Sequence, residues 1–460
     1  MATRLSALDA AYLRQESDTN PMSNAGVTVL DPSSREGGLS FADVRAVLAR
    51  RLHLLPRLRQ RLATVPFGAG RPVWVDDDAF DLDWHLRRVV LPPPGDARRL
   101  RELVEELHPR RLDRRRPLWE CYVVEGLTGG RVALVVRFHH ALADGMSAMY
   151  LAGALLDEDL VRRAGPVADG WRPEPPPAPA DLLSTALVEQ QQTAARLAAA
   201  AAELVADPTR LRESAARLRR AVASLPSPES FRDGPFNVPV GRERRVAWTT
   251  VPARTLREVA RAAGVASSDA VLGVVAAALG HLLALRGEQR TSLRALLPLA
   301  DAAPDQRGGF GNQGSCVLID LPIAAVDPLA RLRLVAGETQ RVRDAGQRLV
   351  ATALRSLWEA LPAGIDPLVT AAGQAQRTHC HLVVSYMRGT RRPLAFDGAR
   401  HIATVPVPPL APRLALTVAV ARLGDTVGFG FTGDWAAVPD IDRLPEGVAA
   451  AVAALRSAVA

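Results

Sequence analysis

Residues 132–156 leave this chain few ways to fold. Val132-Ala133-Leu134-Val135-Val136 is rich in β-branched residues and predicts a buried strand, and Met146 to Leu156 has the length and composition of a buried helix. Between them runs Arg137-Phe138-His139-His140-Ala141-Leu142-Ala143-Asp144-Gly145. A tandem histidine therefore sits at the mouth of a strand, on a short turn that a helix follows, where side chains can point into a cleft while the backbone stays fixed. Two adjacent histidines closing a strand are usually satisfied structural residues. The Asp-Gly at fixed spacing and the flanking motifs reverse that preference and predict an active-site turn.

Composition narrows the class. A chain of 460 residues has room for two domains of ordinary size, and 48% hydrophobic against 23% charged residues supplies sizeable cores. All 57 basic residues are Arg, which excludes a Schiff-base or phosphate-loop lysine. The net charge of +8 fits CoA phosphates or an anionic membrane surface, and no RNA or DNA motif accompanies it. Cys121, Cys316 and Cys380 lack paired spacing, so disulfides are not expected and a reducing, cytoplasmic setting is. Met1 to Thr19 lacks the apolar core of a signal peptide. The most apolar run, Ala270 to Leu285, falls short of the roughly 20 residues that cross a bilayer and predicts a buried helix; membrane contact would be peripheral, on the inner face.

Along the chain, Ser6 caps a helix reaching about Glu16, Gly26 to Leu30 reads as a strand, and Ser40 to Asp43 caps a helix carrying Val44, Val47, Leu48 and Leu52. Phe80 to Arg88 alternates as a strand would, with His85 structural or at the surface. Asp96 caps a helix with Leu100, Leu103, Val104 and Leu107 on one face. The arginines of Leu112 to Glu120 could anchor the histidine turn, and Thr128-Gly129-Gly130 makes a hairpin turn. Trp171 to Pro179 is a proline-stiffened segment. An alanine-rich helix follows to Ala206, and Asp207-Pro208 starts a second, arginine-rich one. Later strands are expected at Arg245–Thr250, Leu293–Leu299, His379–Ser385, Leu414–Val420 and Val427–Phe431, before a closing alanine-rich helix. His379 and His381 would share a strand face, but no third ligand follows at metal-binding spacing, so no metal is expected.

The spacing of His139, His140, Asp144 and Gly145 is that of the HHxxxDG signature of CoA- and carrier-dependent acyltransferases. Leu5 to Asp9 with Pro21-Met22, Phe80 to Gly95, Pro117-Leu118-Trp119 within Leu112 to Glu120, and Asn312-Gln313-Gly314-Ser315 before Leu321-Pro322 extend the likeness. Together they resemble the bacterial wax ester synthase/diacylglycerol acyltransferase family from Leu5 to Asp440. The resemblance implies a mixed α/β (α+β), two-lobed chloramphenicol-acetyltransferase-like fold: a first lobe at 1–165, a proline-rich and helical connector at 166–235, and a second lobe at 236–460. It also implies transfer of a long-chain acyl group from acyl-CoA, a co-substrate with no further cofactor, to diacylglycerol or a long-chain alcohol.

In that reading His140 is the base, because the acceptor hydroxyl needs a neutral imidazole within hydrogen-bond reach. His139 braces the turn, Asp144 holds it through an arginine or backbone amides, and Gly145 supplies a conformation or close approach that a Cβ would obstruct. Ser268, Asp269, Asn312, Gln313 and Ser315 are expected along the substrate channel, where their polar groups could polarise the carbonyl. The chain departs from the family pattern at Ser268-Asp269 in place of Asn-Asp, at Pro298-Leu299-Ala300, and at Val384 to Thr390. Two other readings stay open: the same chemistry on another hydroxyl or amine with a carrier-bound donor, and a non-catalytic lipid-binding or lipid-droplet protein.

Overall fold

The computed structural model describes residues 2–157, 170–206, 234–300, 314–359, 361–368 and 379–459, with 209, 212, 213, 216, 370 and 371. The arginine-rich helix expected after Pro208 lies largely outside these residues. The described strands are, in order, β1 (Thr3–Arg4), β2 (Ser23–Asp31), β3 (Gln60–Ala63), β4 (Val73–Asp76), β5 (Leu86–Val90), β6 (Trp119–Glu125), β7 (Val132–His139) and β8 (Arg244–Pro252). They continue as β9 (Ser292–Ala300), β10 (Gly314–Pro322), β11 (Leu382–Arg388), β12 (Ala395–Phe396), β13 (Ala399–Val407), β14 (Leu416–Leu423) and β15 (Thr426–Asp434).

Two six-stranded sheets organise the molecule. The first runs β12-β13-β2-β7-β6-β5 and the second β10-β9-β11-β14-β15-β8, with β1-β4-β3 as a small side sheet. Both large sheets are mixed: β5 runs parallel to β6, and β11 runs parallel to β9 and β14. β7 is buried along nearly its whole length, as its run of valines predicts for a strand covered on both faces.

The local signals for the early helices are met by side-chain caps. Ser6 accepts from Asp9 N–H ahead of Ala7–Gln15, Ser40 and Asp43 form a reciprocal capping box ahead of Phe41–Arg51, and Asp96 accepts from Arg99 N–H ahead of Ala97–Leu107. The apolar helix spans Ser267–Leu285 and is long and apolar enough to cross a membrane. Two-thirds of it is nevertheless buried in the second core, against the second sheet and the helices Ala253–Ala262, Pro328–Asp344 and Arg443–Val459.

Three expectations are corrected. Phe80–Arg88 is not one strand: Asp81 accepts from Asp83 N–H and caps a single helical turn, Leu82–His85, so the strand begins at Leu86. His379 and His381 precede β11 rather than sharing its face; His381 N–H donates to the Arg294 carbonyl, and its Nδ1 accepts from Arg294 N–H. Finally, β12 and β13 complete the first sheet, so the division expected at residue 236 is crossed by residues 395–407. β13 also lies across β15, where a Cβ on Gly428 or Gly430 would fall 2.2 or 1.7 Å from the carbonyl oxygens of Thr404 and Pro406. Only glycine allows that approach.

Side chains tie the lobes as well. Buried Arg71, just before β4, holds Asp366 with Nε and Nη2 at 3.1 and 3.0 Å, and Arg14 reaches the same carboxylate at 3.1 Å.

Candidate active site

β7 ends at His139, opposite Ser23 of β2, and the turn it enters is held by the main chain on both sides. His139 N–H donates to the Leu118 carbonyl at 3.0 Å, and His140 N–H donates to the Met22 carbonyl at 2.8 Å. Met22 reaches that position with φ +48°, a left-handed conformation uncommon for a side chain of this size. Pro117-Leu118-Trp119 supports the turn from the other strand. Trp119 N–H donates to Pro117, and its indole donates to the Leu58 carbonyl at 2.8 Å. His85 is buried rather than at the surface. It stacks between Phe80 and Trp119, donates from Nδ1 to the Trp119 carbonyl at 2.7 Å, and is pushed down to a pKa of about 4 by burial.

The two histidines have different surroundings. His139 is 1% exposed, and its Nδ1 accepts from Ala141 N–H at 2.9 Å, so the ring proton resides on Nε2. Nε2 faces Glu16 Oε2 at 3.8 Å. Burial, then the charges of Arg114, His140 and Arg111, push its pKa down to about 3, so the ring is neutral. Glu16 is itself buried and held by Arg111 at 2.8 Å and by Arg114. The arginine cluster before β6 thus braces the turn through Glu16. His140 is half-buried, and its ring stacks on Tyr12 of the first helix, with centroids 3.9 Å apart and planes 18° from parallel.

Asp144 is the N-cap of the next helix, Gly145–Leu155. Its carboxylate accepts from Ser147 N–H at 2.8 Å, which is the backbone-amide form of its expected role. Gly145 allows a close approach: a Cβ there would fall 2.5 Å from Met387 Sδ and displace that side chain.

His140, Asp144 and Gly145 open onto a cavity of about 380 Å³ between the two sheets. Most of its wall is apolar, from Phe138, Leu151, Leu155, Leu296 and Leu299 to Pro406 and Leu410. Ser315 of β10 lines it, as does Tyr386. Ser268 and Asp269 do not. Asp269 is buried at the start of Ser267–Leu285 and accepts from Thr339 Oγ1 at 3.1 Å, pinning a neighbouring helix. Asn312 and Gln313 lie outside the described residues. Sequence reasoning missed Tyr12, Glu16 and Met387. Ala7, Leu8, Ala11, Tyr12 and Gln15 all line the cavity, and their spacing along one helix face was the available signal.

Two mixed sheets about an apolar cavity, with His140 and a helix-capping Asp144-Gly145 in its wall and His139 buried behind them, define an HHxxxDG-type acyltransferase. The fold alone is shared with the first condensation domain of the CDA synthetase, which matches with a TM-score of 0.58 at 18% identity over 100% of this chain and 97% of that one. The chain belongs to the wax ester synthase/diacylglycerol acyltransferase family: the family's catalytic domain matches residues 5–271 and its C-terminal domain residues 310–456. The Marinobacter aquaeolei wax ester synthase/diacylglycerol acyltransferase superposes with a TM-score of 0.69 at 24% identity, covering 99% of this chain and 100% of that one. A Mycobacterium tuberculosis protein named "Probable diacyglycerol O-acyltransferase tgs1" is 31% identical over 98% of this chain and 95% of its own length. A second from that species, "Probable diacyglycerol O-acyltransferase tgs2", is 32% identical over 95% of each.

Proposed function

We propose that the chain moves a long-chain acyl group from acyl-CoA to diacylglycerol, to a long-chain alcohol, or to both, with His140 as general base. The observation that carries this reading is the half-buried His140 ring in the wall of a largely apolar cavity, beside a neutral, fully buried His139. His140 takes the acceptor's hydroxyl proton while the oxygen attacks the thioester carbonyl. The tetrahedral intermediate then collapses with loss of the C–S bond, and the imidazolium returns the proton to the CoA sulfur. No acyl-enzyme is formed. The apolar wall favours a lipid alcohol over water as the nucleophile. Because acceptor and product are lipids, the same reading has the protein working peripherally on a lipid surface at the cytoplasmic face, with no cofactor beyond acyl-CoA. The names of the Mycobacterium relatives support the diacylglycerol acceptor.

The test is release of free CoA thiol from palmitoyl-CoA with diacylglycerol or hexadecanol, with product lipids separated in the same assay. Acceptor-dependent release that falls by about 10²–10⁴-fold in His140→Ala is expected. No release from folded, lipid-binding wild type would argue for a binding protein or another acceptor.

A further inference from the structure

We propose that Tyr12 is a positioning residue for acyl transfer: its ring face holds the His140 imidazole in the cavity wall and stabilises the imidazolium formed as the acceptor's proton is taken up. The inference rests on the reading of His140 as the base.

The two rings are stacked, at 3.9 Å between centroids and 18° between planes, so the π-face of Tyr12 covers one side of the imidazole. An aromatic face attracts a cation more than a neutral ring. The interaction therefore strengthens as His140 becomes charged, which is the change that proton transfer makes. Binding that grows toward the transition state raises kcat, whereas equal binding in both states changes only KM.

The position of Tyr12 is set from both ends of its helix. The Glu359 carboxylate, from the helix Gln347–Glu359, accepts from Ala7 N–H at 2.9 and 3.0 Å, beside the Ser6 cap. At the other end Arg114 donates to the Leu13 carbonyl and to Glu16, and Arg111 holds Glu16 too. His140 is fixed independently, by its N–H on Met22. The rings thus meet between two anchored segments.

Other charged and titratable groups surround the site. On the same strand, His139 is neutral and Arg137 is buried against Glu120 at 2.9 Å. On the first helix, Glu16 is engaged by Arg111 and Arg114. On the helix after the turn, Asp144 caps Ser147. From the second lobe, Cys316, Arg355, Glu359 and Tyr386 face the cavity, with Glu359 committed to Ala7 and the Tyr386 phenol pushed up by burial. The Tyr12 ring is the group in stacking contact with His140 among the described residues.

The experiment measures kcat, KM for palmitoyl-CoA, and the pH profile of kcat/KM for the full chain and for Tyr12→Phe, Tyr12→Leu, Tyr12→Met and His140→Ala, with thermal unfolding to check the fold. Tyr12→Leu and Tyr12→Met, which keep apolar bulk but no ring, are expected to lower kcat by about tenfold with little change in KM. Without the π-face the imidazolium is less stable, so the acid limb of kcat/KM moves to lower pH by about half a unit. Tyr12→Phe keeps the face and is expected to restore both values to within about threefold and about 0.2 unit of wild type. If Tyr12→Leu does not fold, Tyr12→Met and Tyr12→Phe decide the matter between them. Wild-type kcat and acid limb in the folded ringless variants would overturn the inference. So would a Tyr12→Phe as impaired as they are, because the hydroxyl would then carry the role. An inactive His140→Ala alongside wild-type ringless variants sinks this inference alone, whereas an active His140→Ala removes the base assignment and the inference with it.

Discussion

His139 and His140 share one turn yet differ in what surrounds them, and the difference extends to the other buried imidazoles. His108 and His139 are pushed down to a pKa of about 3, and His85, His381 and His401 to about 4, in each case chiefly by burial. Each is neutral in the folded chain and returns to about 6.5 when unfolded. Between pH 6.5 and about 4 the unfolded state therefore binds more protons, and stability falls as pH falls through that window. The contribution is complete above pH 6.5. The melting temperature of the wild type is expected to drop steadily from pH 7 to pH 4.5. A flat profile would contradict a core containing neutral histidines.

Where helices meet the cavity, single positions decide how closely elements approach. Gly145 opens the helix Gly145–Leu155 directly against Met387 of β11, so Gly145→Ala forces that side chain to shift beside His140. Overpacking of this kind costs about 1–3 kcal/mol. Gly145→Ala is expected to lower both melting temperature and thiol release, and Met387→Ala in the same chain to recover most of each. Strictly additive losses would show that the two residues do not compete for space. Elements with local signals were the ones legible in the sequence: Ser6, Ser40 with Asp43, and Asp96 each bond a main-chain N–H within three residues. The same holds for His139 to Gly145, whose chemistry is confined to one turn. Phe80–Arg88 misled because the cap at Asp81 outweighs the alternation around it. The His379–His381 alternation misled because the His381 main chain bonds to Arg294, at the turn leading into β11. Ser268-Asp269 matched a motif position, but its carboxylate serves packing. Tyr12 meets His140, and Glu16 meets Arg111 and Arg114, 95 and 98 residues further on, and nothing local announces such a contact.

At the scale of the whole molecule, the lobes are not separable units. β2 pairs with β13 from Ala25 to Asp31, and Arg14 and Arg71 share Asp366. Residues 1–235 expressed alone would present the long edge of β2 without its partner, a template for association with other chains. That fragment is expected to be insoluble or to lack a cooperative unfolding transition, and co-expression with residues 236–460 to recover soluble, active protein. A soluble, cooperatively unfolding 1–235 fragment would refute the strand exchange as a folding requirement. The strand exchange also sets a timetable on the ribosome. β2 leaves the ribosome long before residues 399–407, which follow tens of seconds later at about 5–20 residues per second. Throughout that interval the nascent first sheet lacks β12 and β13, so slow translation through the intervening stretch of the message lengthens its exposure to chaperones and proteases, and a premature stop anywhere between β2 and β12 leaves a product that cannot close.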